Sequence, residues 1–92
     1  MAVDRRSFQL QQMLNLVFQL KWEQLSSRFV GDRIEASIRR RFTDEQMPVK
    51  QFEIDKMHNL VRTFGWNAES TLVDDGLVTV NLFKVMVQEV SL

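Results

Sequence analysis

The chain has 92 residues and no cysteine, and its 12 Lys and Arg balance its 12 Asp and Glu. This length fits one domain, since single cores stop growing only at roughly 250 residues. The missing cysteines exclude disulfides, thiol catalysis and thiolate metal sites, and the balanced charge gives no long-range field to attract nucleic acid or an anionic membrane. A hydrophobic content of 45% argues against disorder. We predict a single soluble α+β domain over residues 1–92.

The N-terminal segment resembles an export signal only in part. Arg5 and Arg6 precede an apolar run, but Gln11 and Asn15 interrupt it and no A-x-A cleavage pattern follows. The charge-free stretch over residues 7–20 is shorter than the ~20 residues that span a bilayer. We therefore predict a cytoplasmic protein without a membrane partner.

Residues 7–29 are predicted to form one long helix, capped by Asp4 or Ser7 and ended before Gly31. Its apolar residues cover far more than the ~100° stripe of a surface helix; they are Leu10, Met13, Leu14, Leu16, Val17, Phe18, Leu20, Trp22 and Leu25. Either this helix is the centre of the core, or another chain covers its second side. For the second alternative we choose Leu16, Leu20 and Trp22 as protein-binding residues.

Residues 31–42 fit two periodicities. Alternation places Ile34, Ala36 and Ile38 on one face of a strand, whereas Ile34, Ile38 and Phe42 also form a helical stripe. We favour a strand, because Gly31 and the turn-like residues 43–46 bracket the segment at strand length.

A second helix is predicted from Pro48, which suits a first helical turn, to Phe64, with Gly65 in a left-handed terminal position. Phe52 falls on the polar side of this helix. An alternative therefore begins the helix near Asp55 and leaves residues 47–54 extended.

Residues 67–73 and 77–87 are predicted to form a β-hairpin, because Asp75-Gly76 between two β-branched runs is a strong turn signal. The second strand is apolar on both faces, which indicates a central or doubly covered strand. It could also pair with another chain by strand addition.

The predicted architecture is a long N-terminal helix, a β (or short helical) segment, a second amphipathic helix and the hairpin, in one small sheet. We identify no internal repeat.

No constellation of residues indicates catalysis. Asp55 and His58 share a helical face without a third metal ligand, and the acidic pair Asp74-Asp75 lies at a turn that favours aspartate for structural reasons. The three glycines are isolated, which excludes a phosphate-binding loop. We predict a non-enzymatic protein without metal, cofactor or small-molecule substrate.

One basic cluster has three explanations. On a strand, Arg33, Arg39 and Arg41 share one face, and together with Arg40 they are the predicted anion- or partner-binding residues. The cluster could protect an exposed strand from aggregation, bind an acidic protein surface, or bind nucleic-acid phosphates.

These observations favour a small protein-interaction module: an adaptor, inhibitor or assembly subunit that acts as a homodimer or on another protein. The alternative is a nucleic-acid-binding module that uses the arginine cluster.

Overall fold

Two helices cover one face of a four-stranded antiparallel sheet in the computed structural model, which describes residues 5–86. The elements in chain order are α1 (Arg5–Gln19), β1 (Glu23–Val30), β2 (Arg33–Arg41), a 3₁₀ helix (Asp44–Val49), α2 (Lys50–Thr63), β3 (Asn67–Asp74) and β4 (Leu77–Val85). The strand order is β1-β2-β4-β3. The predicted α+β class and order of elements are confirmed.

The core lies between the helices and the two central strands. Alternate residues of β2 and β4 point to the helices and are buried, as the strand periodicity requires. Two tryptophans follow the helices and close the core on each side. The buried core residues are Met13, Val17, Trp22, Ile34, Ala36, Ile38, Phe42, Ile54, Met57, Val61, Trp66, Val78, Val80 and Leu82.

The fold consists of two copies of one helix–strand–strand unit, whose equivalent positions are 44 residues apart in the chain. The bounds of β1 and β3 differ by 44 positions, and so do those of β2 and β4. The irregularity between Gln24 and Ser26 recurs between Ala68 and Ser70. Ser37 and Asn81 are equivalent positions and pair with each other. A pseudo-two-fold axis therefore passes between β2 and β4. We call residues 5–42 repeat 1 and residues 49–86 repeat 2.

The prediction that the chain has no internal repeat is therefore wrong. Only seven of the 38 paired positions are identical, which hides the relationship in the sequence as a whole. The identical pairs are Phe8 and Phe52, Met13 and Met57, Asn15 and Asn59, Leu16 and Leu60, Val17 and Val61, Trp22 and Trp66, and Ser26 and Ser70. Five of them form a pattern, M-x-N-L-V-x₄-W, that occurs once in each repeat. This pattern is the part of the sequence that indicates the internal repeat.

The predicted helix over residues 7–29 is too long. The chain turns after Gln19, where the backbone N–H groups of Leu20 and Trp22 both donate to the Val17 carbonyl and Lys21 has a φ of 74°. The equivalent turn in repeat 2 uses Gly65, with a φ of 86°, in the left-handed position that the sequence predicted. A lysine gives no such signal, because side chains rarely adopt positive φ.

The strand over residues 33–41 and the hairpin are confirmed, and β4 is central as its two-faced apolar pattern indicated. Strand addition through β4 is wrong, because β2 and β3 already occupy both of its edges. Val87, at the end of the predicted strand, and Asp4, a predicted helix cap, lie outside the described residues.

The second helix begins close to the first of its two predicted positions. The 3₁₀ helix starts with a capping box between Thr43 and Gln46, contains Pro48 and leads directly into α2. The alternative, with residues 47–54 extended, is wrong. Phe52 does lie on the polar side of α2, and its side chain is exposed.

Candidate interaction surfaces

The basic cluster is divided between the two faces of the sheet. Alternation along β2 turns Arg33, Arg39 and Arg41 to the face that the helices leave uncovered and turns Arg40 towards the helices. The predicted sharing of one face by three arginines is confirmed. Arg40 has a different environment, so the four residues form no single patch.

Carboxylates accompany most of these arginines. Arg39 pairs with Glu23 at 2.6 Å, and Arg33 pairs with Glu69 at 3.1 Å. Arg28 donates a hydrogen bond to Glu35, which holds the pKa of that carboxyl below its usual value. The resulting ion pairs reduce the charge available to a phosphate. Arg41 is exposed and has no acidic partner among residues 5–86.

Arg40 connects the two helices. Its guanidinium donates to the Leu20 carbonyl at the end of α1 and to Glu53 at the start of α2. At the equivalent position in repeat 2, Lys84 donates to the Phe64 carbonyl and to Gln9 at the start of α1. Both bridges join the end of one helix to the start of the other, so α1 and α2 run antiparallel. Burial lowers the pKa of Lys84.

The three predicted protein-binding residues differ in accessibility. Leu16 and Leu20 are half-buried, and Leu20 packs against the core. Trp22 is only 1% exposed and makes an edge-to-face contact with Phe42. Its assignment as a surface contact is corrected here: it is a core residue, because the chain turns at Lys21 and carries the indole beneath α1.

A stripe of four exposed residues runs along the outer side of α1. Phe8, Gln11, Asn15 and Phe18 follow one another at spacings of three, four and three, which places them on one face of the helix. Phe8 is 60% exposed and Phe18 is 71% exposed. Gln11 Nε2 donates to Asn15 Oδ1 at 2.9 Å. We call this set the α1 outer stripe; it contains no charge, although 26% of the chain is charged.

The equivalent stripe on α2 is charged. Phe52 and Asn59 repeat Phe8 and Asn15, but Asp55 replaces Gln11 and Arg62 replaces Phe18. The two stripes occupy equivalent positions on their helices. Each has an exposed phenylalanine at its start, because Phe52 is 64% exposed and corresponds to Phe8. The α1 outer stripe therefore differs from its α2 equivalent in lacking charge, and depletion of charged residues is a property of interface cores in general.

A shallow depression of about 290 Å³ adjoins the α1 outer stripe. Its helical side is formed by Gln11, Leu14, Asn15 and Phe18, and its other side by Trp22, Glu23 and Gln24. The buried indole N–H of Trp22 has no hydrogen-bond acceptor among residues 5–86. The depression joins Phe18 to the apolar side chains of Leu14 and Trp22 and to the polar edge of β1, where Glu23 is paired with Arg39.

Small polar side chains cross the middle of the uncovered sheet face. Ser37 Oγ donates to Asn81 Oδ1 at 2.6 Å, and Asn81 Nδ2 donates to Ser70 Oγ at 2.8 Å. A depression of about 380 Å³ lies over this row and is bordered by Arg28 and Glu35. The hydroxyl and amide groups of this row bond one another and Arg33 and Arg39 are ion-paired, whereas Arg41 has no acidic partner among residues 5–86. The centre of this face offers little apolar area.

His58 faces β3, where its Nε2 lies 3.3 Å from Thr71 Oγ1. Burial lowers the pKa of His58, with Asp55 acting in the opposite direction and Arg62 adding to the decrease. Among residues 5–86, no group of three His, Cys, Asp or Glu side chains is placed to hold a metal ion.

Sequence reasoning did not single out Phe8 or Phe18 as contact residues. The signal was present, because positions 8, 11, 15 and 18 lie on one helical face that is free of charge. It was obscured by the assumption that the helix continued to residue 29, which made most of its circumference look apolar outside a narrow polar strip that contained Asn15.

Comparison of the chain with protein-family models, curated proteins and solved structures gave no match. None of the helices in the described part of the chain is long and apolar enough to cross a membrane.

Proposed function

We propose that this chain is a small, cytoplasmic, non-enzymatic protein-interaction module that binds through the α1 outer stripe. The observation that carries the proposal is the exposure of Phe8 and Phe18 on a helical face without charge. Aromatic residues are enriched at protein interfaces, and charged residues are depleted in their centres. This function corresponds to an adaptor, an inhibitor or an assembly subunit.

The helix itself explains why this surface is available. Met13 and Val17 already fill the core from the opposite side of α1, so the fold does not need Phe8 or Phe18 for its own packing. Leaving two phenylalanines in water is unfavourable by roughly 1.5–3 kcal/mol each relative to full burial. A partner that covers the stripe recovers this free energy.

The alternative function, nucleic-acid binding by Arg33, Arg39, Arg40 and Arg41, has less support. Arg40 bonds between the helices, and Arg33 and Arg39 are ion-paired. Phosphate binding would have to replace these contacts.

The test compares two variants with matched exposure and matched position in the repeats, Phe8→Lys in α1 and Phe52→Lys in α2. Each is used as a tagged bait in a lysate of the source organism, with and without nuclease. We expect wild type and Phe52→Lys to retain the same protein partner after nuclease treatment. Phe8→Lys should lose it, because a lysine ammonium cannot be buried in an apolar contact without a partner.

Two results would contradict the proposal. Recovery that disappears with nuclease would assign binding to the arginines. Equal recovery by both variants would place the binding surface elsewhere.

A further inference from the structure

We infer that the α1 outer stripe binds the same stripe of a second copy of this chain, in an antiparallel two-fold dimer. This inference rests on the proposed function, because it names the partner of the same surface. Its basis is the order of residues along the stripe, which reads aromatic, amide, amide, aromatic.

The stripe is symmetric about Met13. Phe8 and Phe18 lie five positions on either side of this residue, and Gln11 and Asn15 lie two positions on either side. A two-fold axis perpendicular to α1 at this point brings Phe8 of one copy level with Phe18 of the other. It also brings Gln11 level with Asn15. A two-fold interface requires such a self-complementary surface.

The amides leave hydrogen-bonding groups for the second copy. The bond from Gln11 Nε2 to Asn15 Oδ1 uses one donor and one acceptor. An Asn or Gln amide has two N–H groups and an oxygen. Asn15 Nδ2 and Gln11 Oε1 therefore remain as a donor and an acceptor, and the two-fold axis places each beside its complement.

Electrostatics favours a copy of this chain over a charged partner. The stripe has no charge that would repel itself, and it offers no counter-ion to an acidic or basic surface. The charged stripe of α2 illustrates the contrast, because Asp55 and Arg62 would need partners of opposite sign. Within the depression beside Phe18, Leu14 and Trp22 add apolar area for a second phenyl ring, and the Glu23 carboxylate at its far edge is already paired with Arg39.

The absence of cysteine in the wild-type chain allows a specific cross-linking test. Positions 8 and 18 are ten residues apart, which corresponds to ~15 Å along the helix. In the antiparallel dimer, Phe8→Cys of one copy meets Phe18→Cys of the other, whereas equal positions lie too far apart for a disulfide. We expect an equimolar mixture of the two variants to form a covalent dimer on mild oxidation. Neither variant alone should do so at the same concentration.

Sedimentation equilibrium of the uncross-linked chain provides the second measurement. A single-helix interface is small, so we expect a weak dimer whose population rises with protein concentration into the millimolar range. Phe18→Lys should raise the dissociation constant at least about tenfold. Phe52→Lys, the control with similar exposure, should leave it unchanged.

A chain that stays monomeric at all concentrations, with no cross-link in the mixture, would overturn the dimer. If a different protein is then captured by wild type and lost with Phe8→Lys, the proposed function stands without it. Cross-linking of either variant alone, or equal weakening by Phe18→Lys and Phe52→Lys, would show a dimer of different geometry and would also overturn this inference.

Discussion

The two repeats share one backbone plan and differ in where they place charge. Repeat 1 has an uncharged helix body over residues 7–20 and carries five of its seven arginines on β1 and β2, with eight Lys and Arg against three Asp and Glu in all. Repeat 2 has a charged α2 and an apolar β4, with four Lys and Arg against five Asp and Glu. The neutral total therefore conceals a net charge of +5 in repeat 1 and −1 in repeat 2.

The comparison teaches which features the fold requires and which are free to differ. Features present in both repeats, such as the methionine, valine and tryptophan of the M-x-N-L-V-x₄-W pattern, are buried. On the outer stripes, Phe8 and Asn15 recur as Phe52 and Asn59, whereas Gln11 and Phe18 are replaced by Asp55 and Arg62. Repeat 1 alone has an outer helix face with two phenylalanines and no charge, and we propose that this face contacts a partner outside the monomer.

The largest expected effect tests the equivalence of the two cores. Trp22→Ala and Trp66→Ala should each lower the free energy of unfolding by about 3–5 kcal/mol, because each removes a buried indole. Urea denaturation followed by far-UV circular dichroism measures both. If the losses make a variant unfold, Trp22→Phe and Trp66→Phe give smaller losses that should again match. A large loss at only one tryptophan would show that the two halves of the core are not equivalent.

A smaller effect should separate the two hairpin turns. A Cβ at Gly76 would overlap the backbone carbonyl oxygen of Phe42, whose N–H donates to the Gly76 carbonyl at 2.6 Å. Gly76→Ala should therefore destabilise the fold by about 1–3 kcal/mol. Its equivalent, Asp32→Ala, is an exposed change that should stay within about 0.5 kcal/mol. Similar denaturation midpoints for the two variants would mean that a Cβ at position 76 is accommodated as easily as the Asp32→Ala change.

The smallest effect concerns His58, which replaces the Leu14 of repeat 1. Because burial lowers the pKa of His58, the unfolded chain takes up a proton near pH ~6.5 before the folded chain does. Stability should therefore fall as pH decreases through this value and level off below the folded pKa. His58→Leu, which restores the repeat 1 residue, should flatten the stability profile between about pH 7 and 5. Thermal melts at stepped pH measure this, and an unchanged slope in the variant would show that His58 is not the group responsible.

Local signals were sufficient for much of repeat 2. Gly65 ends α2 in the left-handed conformation, the Asp75-Gly76 turn closes the hairpin, and the apolar pattern of residues 77–85 identifies a central strand. The residues that begin and end these elements lie within or next to them, so a short window of sequence is sufficient to predict them.

Repeat 1 shows where such signals fail. β1 is an edge strand whose residues are all exposed, so no buried face imposes alternation on it. The turn before it depends on Lys21 in a conformation that lysine rarely adopts. As a result, residues 20–29 resembled a continuation of α1.

The sequence by itself determined the α+β class, the order of helices and strands, and the alternation of arginines along β2, because these follow from periodicity and turn chemistry. Only the tertiary structure decided that the chain is a repeated unit, that Trp22 belongs to the core, and that Arg40 joins the helices. The physical reason is that each of these depends on contacts between residues distant in the chain, such as Ser37 with Asn81. The α1 outer stripe became recognisable once packing against the sheet had defined which side of the helix remains exposed.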